Sequence, residues 1–98
     1  MKFVWWDDGK RKKNLKDHGI DFKYIEKLFE GFTATLPDDR FDYPEERFFT
    51  IGILNNQIIA IAHTEDEKTV RIISAREAEK HEKKFYFKEA KKHSTFES

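Results

Sequence analysis

The sequence predicts an α+β fold, an antiparallel sheet of about four strands with two N-terminal helices and a C-terminal helix. Apolar residues fall at helical spacing between residues 22 and 29, form consecutive strand-like segments between residues 47 and 74, and return to helical spacing towards the C-terminus. Strands grouped in this way between helical segments are typical of the α+β class.

The first helix follows a short apolar strand, Phe3-Val4-Trp5-Trp6. Asp7 or Asp8 can cap a helix that runs to His18, where Gly19 supplies the stop. This helix is nearly all polar, so we expect it to lie on the surface of the protein.

A second helix is predicted between Asp21, its cap, and Gly31. Its apolar side chains fall at helical spacing, which indicates a packed face: Phe22, Ile25, Leu28 and Phe29. A strand through Ala34 and Leu36 and an acidic loop from residue 37 to residue 44 complete this half of the chain.

Residues 47–74 predict a three-stranded antiparallel meander. The segments 47–54 and 57–64 flank Asn55-Asn56, a pair that tolerates the positive φ of a two-residue hairpin turn, and residues 65–68 turn the chain into a third strand, 69–74.

If both turns have these lengths, Phe49 faces Ala62, Ala62 faces Arg71, and Arg47 faces Thr64. Arg47 and Arg71 then share one face of the sheet, and His63 lies on the other. Both faces are largely apolar, so either helices cover both or one is left for a partner.

The last helix is predicted from Arg76 to about His93. Its apolar face has a carboxylate, Glu82, at its centre. The apolar residues of that face are Ala75, Ala78, Phe85 and Tyr86. A carboxylate in such a place needs a cation, and the candidates are Arg71, Arg47 and Arg76. The pair would either fix the helix on the sheet or belong to a basic pocket, in which Glu82 orients an arginine or accepts a proton.

The composition is that of one small folded domain, residues 1–98, with 38% hydrophobic and 15% aromatic residues. The chain has no cysteine, no apolar run long enough to cross a bilayer and no apolar segment typical of a signal peptide. A cytoplasmic location is therefore expected.

Charge is balanced overall, with 19 Lys and Arg and 19 Asp and Glu, but it is unevenly distributed. Basic residues cluster at 10–16 and again in the last helix, and acidic residues cluster at 38–46. The pattern fits either a polyanion-binding surface or two solvated helix faces with an acidic loop.

The remaining motifs exclude several classes of chemistry. The four histidines lack zinc-ligand spacing, and glycine-rich phosphate loops and a serine-hydrolase elbow are absent, so neither a metal nor another cofactor is expected. His63 is the histidine best placed to act as an acid or base, but it faces away from Arg47 and Arg71, which favours a hydrogen-bonded histidine partly in the core. The arginines could bind phosphate through their planar forks, or they could pair with Glu46, Glu77 or Glu82.

Two motifs decide among these possibilities. The N-terminal motif is Phe3-x-Trp5-Trp6-Asp7, Lys10 and Asn14-x-x-x-His18-Gly19-Ile20-x-Phe22, continued by Phe29. The C-terminal motif is Glu46-Arg47, Ile51-Gly52 and Arg71-Ile72-Ile73-Ser74-Ala75-Arg76-x-Ala78, followed by Glu82 and Tyr86. Together they span nearly the whole chain and resemble the signature of BrnT toxins, the ribonuclease components of bacterial toxin-antitoxin pairs.

The resemblance implies a RelE-like fold and a metal-independent endoribonuclease that stops translation. Arg47, Arg71 and Arg76 would grip the scissile phosphate while the 2′-hydroxyl of the RNA attacks it. Glu82, His63 or Tyr86 would move the proton. The candidate RNA-contacting residues are Lys10, Lys12, Lys13, Asn14, His18 and Tyr86.

The resemblance also implies a protein partner, a BrnA-like antitoxin with a ribbon-helix-helix part through which the complex binds operator DNA. One position departs from the family pattern, because Asp17 stands where lysine is usual before His18-Gly19. A non-catalytic RNA-binding or protein-binding module derived from such a toxin is the alternative.

Overall fold

A computed structural model describes residues 2–39 and 42–95 of the chain. Its elements are β1 (Phe3–Trp6), α1 (Asp8–His18), a 3-10 turn (Phe22–Tyr24) leading into α2 (Ile25–Glu30), β2 (Ala34–Pro37), β3 (Arg47–Leu54), β4 (Gln57–Glu65), β5 (Thr69–Glu77) and α3 (Lys80–Thr95). The α+β class and the positions of the first two helices agree with the sequence-based prediction.

The strands form one five-stranded mixed sheet in the order β1-β5-β4-β3-β2. Strands β2 to β5 pair in antiparallel fashion, as expected, but β1 joins the edge of the sheet parallel to β5. The prediction of about four strands is compatible with this sheet, but the sheet is mixed rather than purely antiparallel, because β1 runs parallel to β5. Nothing in a four-residue apolar segment indicates which of two distant strand edges it will join.

The register between β3 and β4 is the predicted one, with Phe49 opposite Ala62 and Arg47 opposite Thr64. The hairpin turn explains why this register could be read from the sequence. Asn55 and Asn56 both adopt positive φ, 51° and 65°, as a tight two-residue turn requires.

The register between β4 and β5 differs from the prediction for two reasons, the turn that joins the strands and a β-bulge. On the turn side Glu65 pairs with Val70, so Arg71 lies opposite Thr64 rather than Ala62. Further along, Ala62 pairs with Ser74 and His63 pairs with Ile72, which leaves Ile73 as the extra residue of the bulge.

The bulge decides which face the β5 side chains occupy. In a regular strand Arg71 and Arg76, five residues apart, would point to opposite faces. One extra residue between them reverses the alternation, so that both point to the face that also holds Arg47 and Phe49.

The boundary between β5 and α3 also differs from the prediction. Arg76 and Glu77 continue the ladder opposite Ala60 and Ile59, and the Ala78 backbone N–H donates to Ile58 O at 2.9 Å. Arg76 is therefore a strand residue, and α3 begins at Lys80. Cross-strand pairing outweighs the helical propensity of these residues.

Both faces of the sheet are covered, each over its own core. The first core, on what we call the α2 face, includes Phe22, Ile25, Leu28, Ile61 and Ile72. The second, on what we call the α3 face, includes Phe49, Ile51, Ala60, Ala78 and Tyr86. Within the described ranges, no helix is long and apolar enough to span a membrane.

Candidate functional site

A row of four side chains crosses the α3 face of the sheet from β3 to β1. The strand registers place Arg47 opposite Thr64, Thr64 opposite Arg71, and Arg71 beside Trp5. Neighbouring strands lie about 4.8 Å apart, so the Cα atoms of Arg47 and Arg71 are separated by roughly 10 Å. We call this set the arginine row; it directs two guanidinium groups to one region of the surface.

The contacts of these two arginines leave donors unused. The Arg71 Nη2 group donates to a Glu45 carboxylate oxygen, and the guanidinium of Arg47 stacks 3.9 Å from the ring centroid of Tyr43. The Nε atoms of both arginines are buried and have no hydrogen-bond acceptor in residues 2–39 and 42–95. Because buried polar groups are normally paired, two such donors in one row point to an anionic ligand.

Arg76 and Glu82 form a separate, tightly held pair. The Arg76 Nη1 and Nη2 groups donate to the two carboxylate oxygens of Glu82 at 2.7 and 3.0 Å. The backbone N–H of Glu79, just before α3, donates to Glu82 Oε1 at 2.7 Å, as in one half of a helix capping box. Of the three arginines considered for Glu82, the structure therefore selects Arg76.

The Arg76–Glu82 pair lies on the α3 face but outside the arginine row. Arg76 is opposite Ala60, four β4 residues from Thr64, or roughly 13 Å at 3.3 Å per residue. The ring of Phe49 lies 5.3 Å from the Arg76 guanidinium. The three predicted arginines thus share a face, but only Arg47 and Arg71 flank the same position.

The environment of Glu82 keeps its carboxylate ionised. Burial raises the pKa of Glu82, but hydrogen bonds from Arg76 and the Glu79 backbone and the charge of Arg76 outweigh it, so the pKa lies below its ordinary value. The ion-pair interpretation of Glu82 agrees with these contacts.

His63 is not brought to the arginine row. It is buried on the α2 face, where its Nε2 atom is 2.7 Å from Thr50 Oγ1 and its ring packs between Phe29 and Phe48. Burial lowers the pKa of His63, so the neutral form is favoured. The sheet separates this ring from the arginines, which corrects its placement among the candidate catalytic residues.

Asn14 is also unavailable for contacts with a ligand, because its side chain is buried and bound to backbone. Its amide donates to Ile20 O and Ala75 O and accepts from Ala75 N, all at 2.9 Å. Strand β1 ends opposite Ile72, so the Asn14 amide takes the place of the missing strand neighbour of Ala75. Its role is to position α1 against β5.

Other α1 side chains surround an open cleft of about 280 Å³ beside the β5 bulge. The cleft is lined by Lys10, Lys13, Asn14, Asp17, His18, Ile73 and Ser74. Lys13 Nζ lies 2.8 Å from an Asp17 carboxylate oxygen, which neutralises much of its charge locally. Lys12 lies outside the cleft and pairs with Asp8 at 3.3 Å.

Tyr86 lies beneath α3 rather than on the surface. It is buried in the second core, and its hydroxyl donates to Phe32 O at 3.2 Å. Burial raises the pKa of Tyr86 above its ordinary value. The geometry therefore does not support Tyr86 as an RNA contact or a proton carrier.

Sequence reasoning missed three residues next to the arginines: Trp5, Tyr43 and Glu45. The carboxylates considered as arginine partners included Glu46 and Glu77, whereas Glu45 is the one that holds Arg71. Trp5 belongs to a short apolar strand, and nothing in that segment indicates that Trp5 lies beside Arg71. Tyr43 and Glu45 belong to a loop whose path over the sheet has no simple sequence signal.

Two comparisons with known proteins bear on this geometry. The model of a family described as "Ribonuclease toxin, BrnT, of type II toxin-antitoxin system" matches residues 6–82 of the 98-residue chain. That range contains Arg47, Arg71, Arg76 and Glu82. A search of curated proteins found no matching relative. Since the match covers most of the chain and nearly the whole sheet, the protein belongs to the BrnT family of ribonuclease toxins of type II toxin-antitoxin systems.

Proposed function

We propose that the protein is an endoribonuclease that cleaves RNA without a metal ion and so inhibits translation in the cytoplasm. The observation that supports this most strongly is the arginine row, in which Arg47 and Arg71 flank one position and each retains an unused Nε–H donor. A phosphodiester is an anion of suitable size and charge for two guanidinium forks.

The reaction then needs no protein nucleophile. The 2′-oxygen of the RNA forms a bond to the adjacent phosphorus while the bond from phosphorus to the 5′-oxygen breaks, which leaves a 2′,3′-cyclic phosphate and a 5′-hydroxyl. The 2′-hydroxyl loses its proton and the departing 5′-oxygen gains one. Arg47 and Arg71 would stabilise the negative charge that grows on the phosphate oxygens.

The contacts of the other candidate residues favour solvent as the proton carrier. Glu82 is bound at both oxygens, and His63 and Tyr86 are buried away from the row. We therefore propose that water accepts the 2′-hydroxyl proton and that Glu82 acts by holding Arg76.

A type II system implies an antitoxin protein, and we propose a BrnA-like partner with a ribbon-helix-helix part that binds operator DNA. Carboxylates from such a partner could replace Glu45 at Arg71 and occupy the position of the RNA phosphate. Co-expression with the antitoxin should then restore growth of cells that produce the toxin.

The decisive experiment combines a chelator with two arginine variants. We expect the purified protein to cleave RNA in EDTA, and Arg47→Ala and Arg71→Ala each to lose about 100-fold or more in cleavage rate, because removing one donor aimed at developing charge costs about 3 kcal/mol. Lys27→Ala, which changes an exposed cation of α2 on the opposite face of the sheet, is the matched control.

Loss of cleavage in EDTA that magnesium restores would overturn the metal-independent mechanism. Unchanged cleavage by both folded arginine variants would overturn the assignment of the site.

One observation favours the non-catalytic alternative, because carboxylates of the same chain already bind two of the candidate cations. Glu45 accepts a hydrogen bond from Arg71, and Asp17 forms an ion pair with Lys13. Both readings predict RNA binding. They differ in turnover, because only the enzyme converts an excess of RNA into fragments.

A further inference from the structure

Trp5, the last side chain of the arginine row, is a large aromatic residue that the fold leaves exposed. Its neighbours Val4 and Trp6 pack against the first core, whereas Trp5 points to the α3 face with 41% of its surface exposed. Its ring centroid lies 6.0 Å from the Arg71 guanidinium. Nothing in the cleavage mechanism above uses this ring.

The position of Trp5 follows from the pairing of β1 with β5. Because the two strands run parallel with Trp5 next to Arg71, the indole adds an aromatic surface to the end of a row of cationic and hydroxyl side chains. A phosphate bound between Arg47 and Arg71 would hold its attached nucleoside within reach of this ring. Arg71 would then contact both the phosphate and the edge of the aromatic site.

We propose that Trp5 forms a nucleobase-stacking site for single-stranded RNA, which holds the base next to the phosphate bound by Arg47 and Arg71. This inference rests on the proposed function, since it takes the arginine row as the phosphate site. Stacking is available to any base, because every base has a π-face, so the site favours single strands over duplexes without selecting a sequence.

The surroundings of Trp5 favour a nucleotide over an apolar protein surface. The side chains next to it in the row are Arg71 and Thr64, and Arg71 has an unused Nε–H donor. A purely apolar partner would bury that guanidinium without an anion, which is costly. A nucleotide supplies an aromatic face and a negative charge together.

The test measures binding without cleavage. A single-stranded oligonucleotide with 2′-O-methyl groups at every position cannot undergo 2′-hydroxyl attack, and a second oligomer with the same backbone but without bases removes stacking alone. We expect Trp5→Ala to weaken binding of the first oligomer by roughly five- to 100-fold, in the range measured for a lost base–aromatic stack. Trp5→Phe should retain most of the affinity.

Two controls isolate the effect. Tyr24→Ala removes another exposed aromatic residue, on the 3-10 turn before α2, and should leave binding unchanged. Wild-type protein should bind the base-free oligomer as weakly as Trp5→Ala binds the oligomer that has bases. The melting temperature of each variant shows whether it is folded, and the base-free oligomer, which needs only the wild-type protein, tests the proposal if Trp5→Ala is not.

Equal binding of the normal oligomer by folded Trp5→Ala and wild type would overturn the proposal. So would wild-type binding of the base-free oligomer at full affinity, or an effect of Trp5→Ala on antitoxin binding alone. If Trp5 governs binding but no RNA is ever cleaved, the proposed function fails and the stacking site stands. If RNA is cleaved but Trp5→Ala binds RNA as tightly as the wild type does, the proposed function stands and the stacking site fails.

Discussion

Arg71 and Arg76 are two arginines of one strand and one face, yet their partners give them different roles. Arg76 pairs through two hydrogen bonds with Glu82, whose side chain is only 6% exposed. Arg71 pairs with Glu45, whose side chain is 42% exposed. An exposed pair contributes about 1 kcal/mol or less, while breaking a buried one costs several. Arg71 can therefore exchange its carboxylate for a phosphate, and Arg76 is held in place.

Substitution of Glu82 should separate stability from catalysis. Glu82→Ala removes the carboxylate that accepts from Arg76 and from the Glu79 backbone N–H, while Arg76 keeps its hydrogen bond to Glu77 O. We expect a loss of roughly 3 kcal/mol, the lower end for a broken buried pair, because the Arg76 side chain is 22% exposed. Glu82→Gln should lose less, because it keeps one oxygen acceptor. The free energy of unfolding from urea titration and the cleavage rate of the folded fraction are measured on the same sample.

The pH dependence of the same variants follows from the lowered pKa of Glu82. A carboxyl group whose pKa is lower in the folded state stabilises the fold above its unfolded pKa and loses that effect as the pH falls through the folded pKa. The stability of the wild type should thus decline more steeply below pH 4.5, the ordinary value of this group, than that of Glu82→Gln. Parallel curves, or a folded Glu82→Gln without cleavage activity, would contradict the structural role.

At the level of elements, the bulge in β5 is the feature that the sequence does not reveal. The β3–β4 register was predictable because two asparagines fix a tight turn, and the apolar pattern of α2 was predictable from its spacing. A bulge at Ile73 has no glycine or other local signal. Its effect on the site is large, because it brings Arg76 to the same face as Arg71.

The contact between α1 and β5 likewise could not be predicted from the sequence. A polar residue on a polar helix gives no sign that its amide will pair with a strand 61 residues away, as Asn14 does with Ala75. Lys10, Lys13 and His18 could be placed on the same helix from the sequence, but their position beside the bulge depends on this contact.

Asn14→Ala should therefore reduce stability rather than the affinity for RNA. The variant leaves the buried N–H and C=O of Ala75 and the C=O of Ile20 without partners, at a cost of roughly 2–3 kcal/mol. Hydrogen exchange of the Ala75 amide should accelerate by more than that of amides in β3. Weakened binding of non-cleavable RNA by a folded, normally protected Asn14→Ala would show instead that the side chain contacts the ligand.

At the level of the whole molecule, affinity for RNA cannot come from net charge, since acidic and basic residues are equal in number. It has to come from basic side chains grouped on one surface. Few of the described basic residues are grouped in this way. Arg47 and Arg71 lie in the row, and Lys10 lines the cleft beside the β5 bulge. Lys13 also lines that cleft, but Asp17 is hydrogen-bonded to it, which lowers the pKa of Asp17 and raises that of Lys13, so both stay charged and paired.

The salt dependence of RNA binding should report this small number of cations. For single strands the logarithm of the binding constant falls with the logarithm of salt concentration by about 0.7 for each phosphate neutralised, so three cations predict a slope of about −2.

Asp17→Asn releases Lys13 and should steepen the slope by about 0.7 while tightening binding at low salt. Asp8→Asn makes the same change in net charge on the same helix but releases Lys12, which lies outside the cleft, while Arg11 stays bound to Asp21. Fluorescence anisotropy of a non-cleavable oligomer between 50 and 200 mM salt, roughly the range over which this effect is large, measures the slopes of the wild type and the two variants.

If Asp8→Asn and Asp17→Asn change the slope equally, overall charge governs RNA binding and the cleft has no special role. A change confined to Asp17→Asn shows that RNA passes along α1 beside the bulge, and that Asp17 weakens RNA binding by pairing with Lys13.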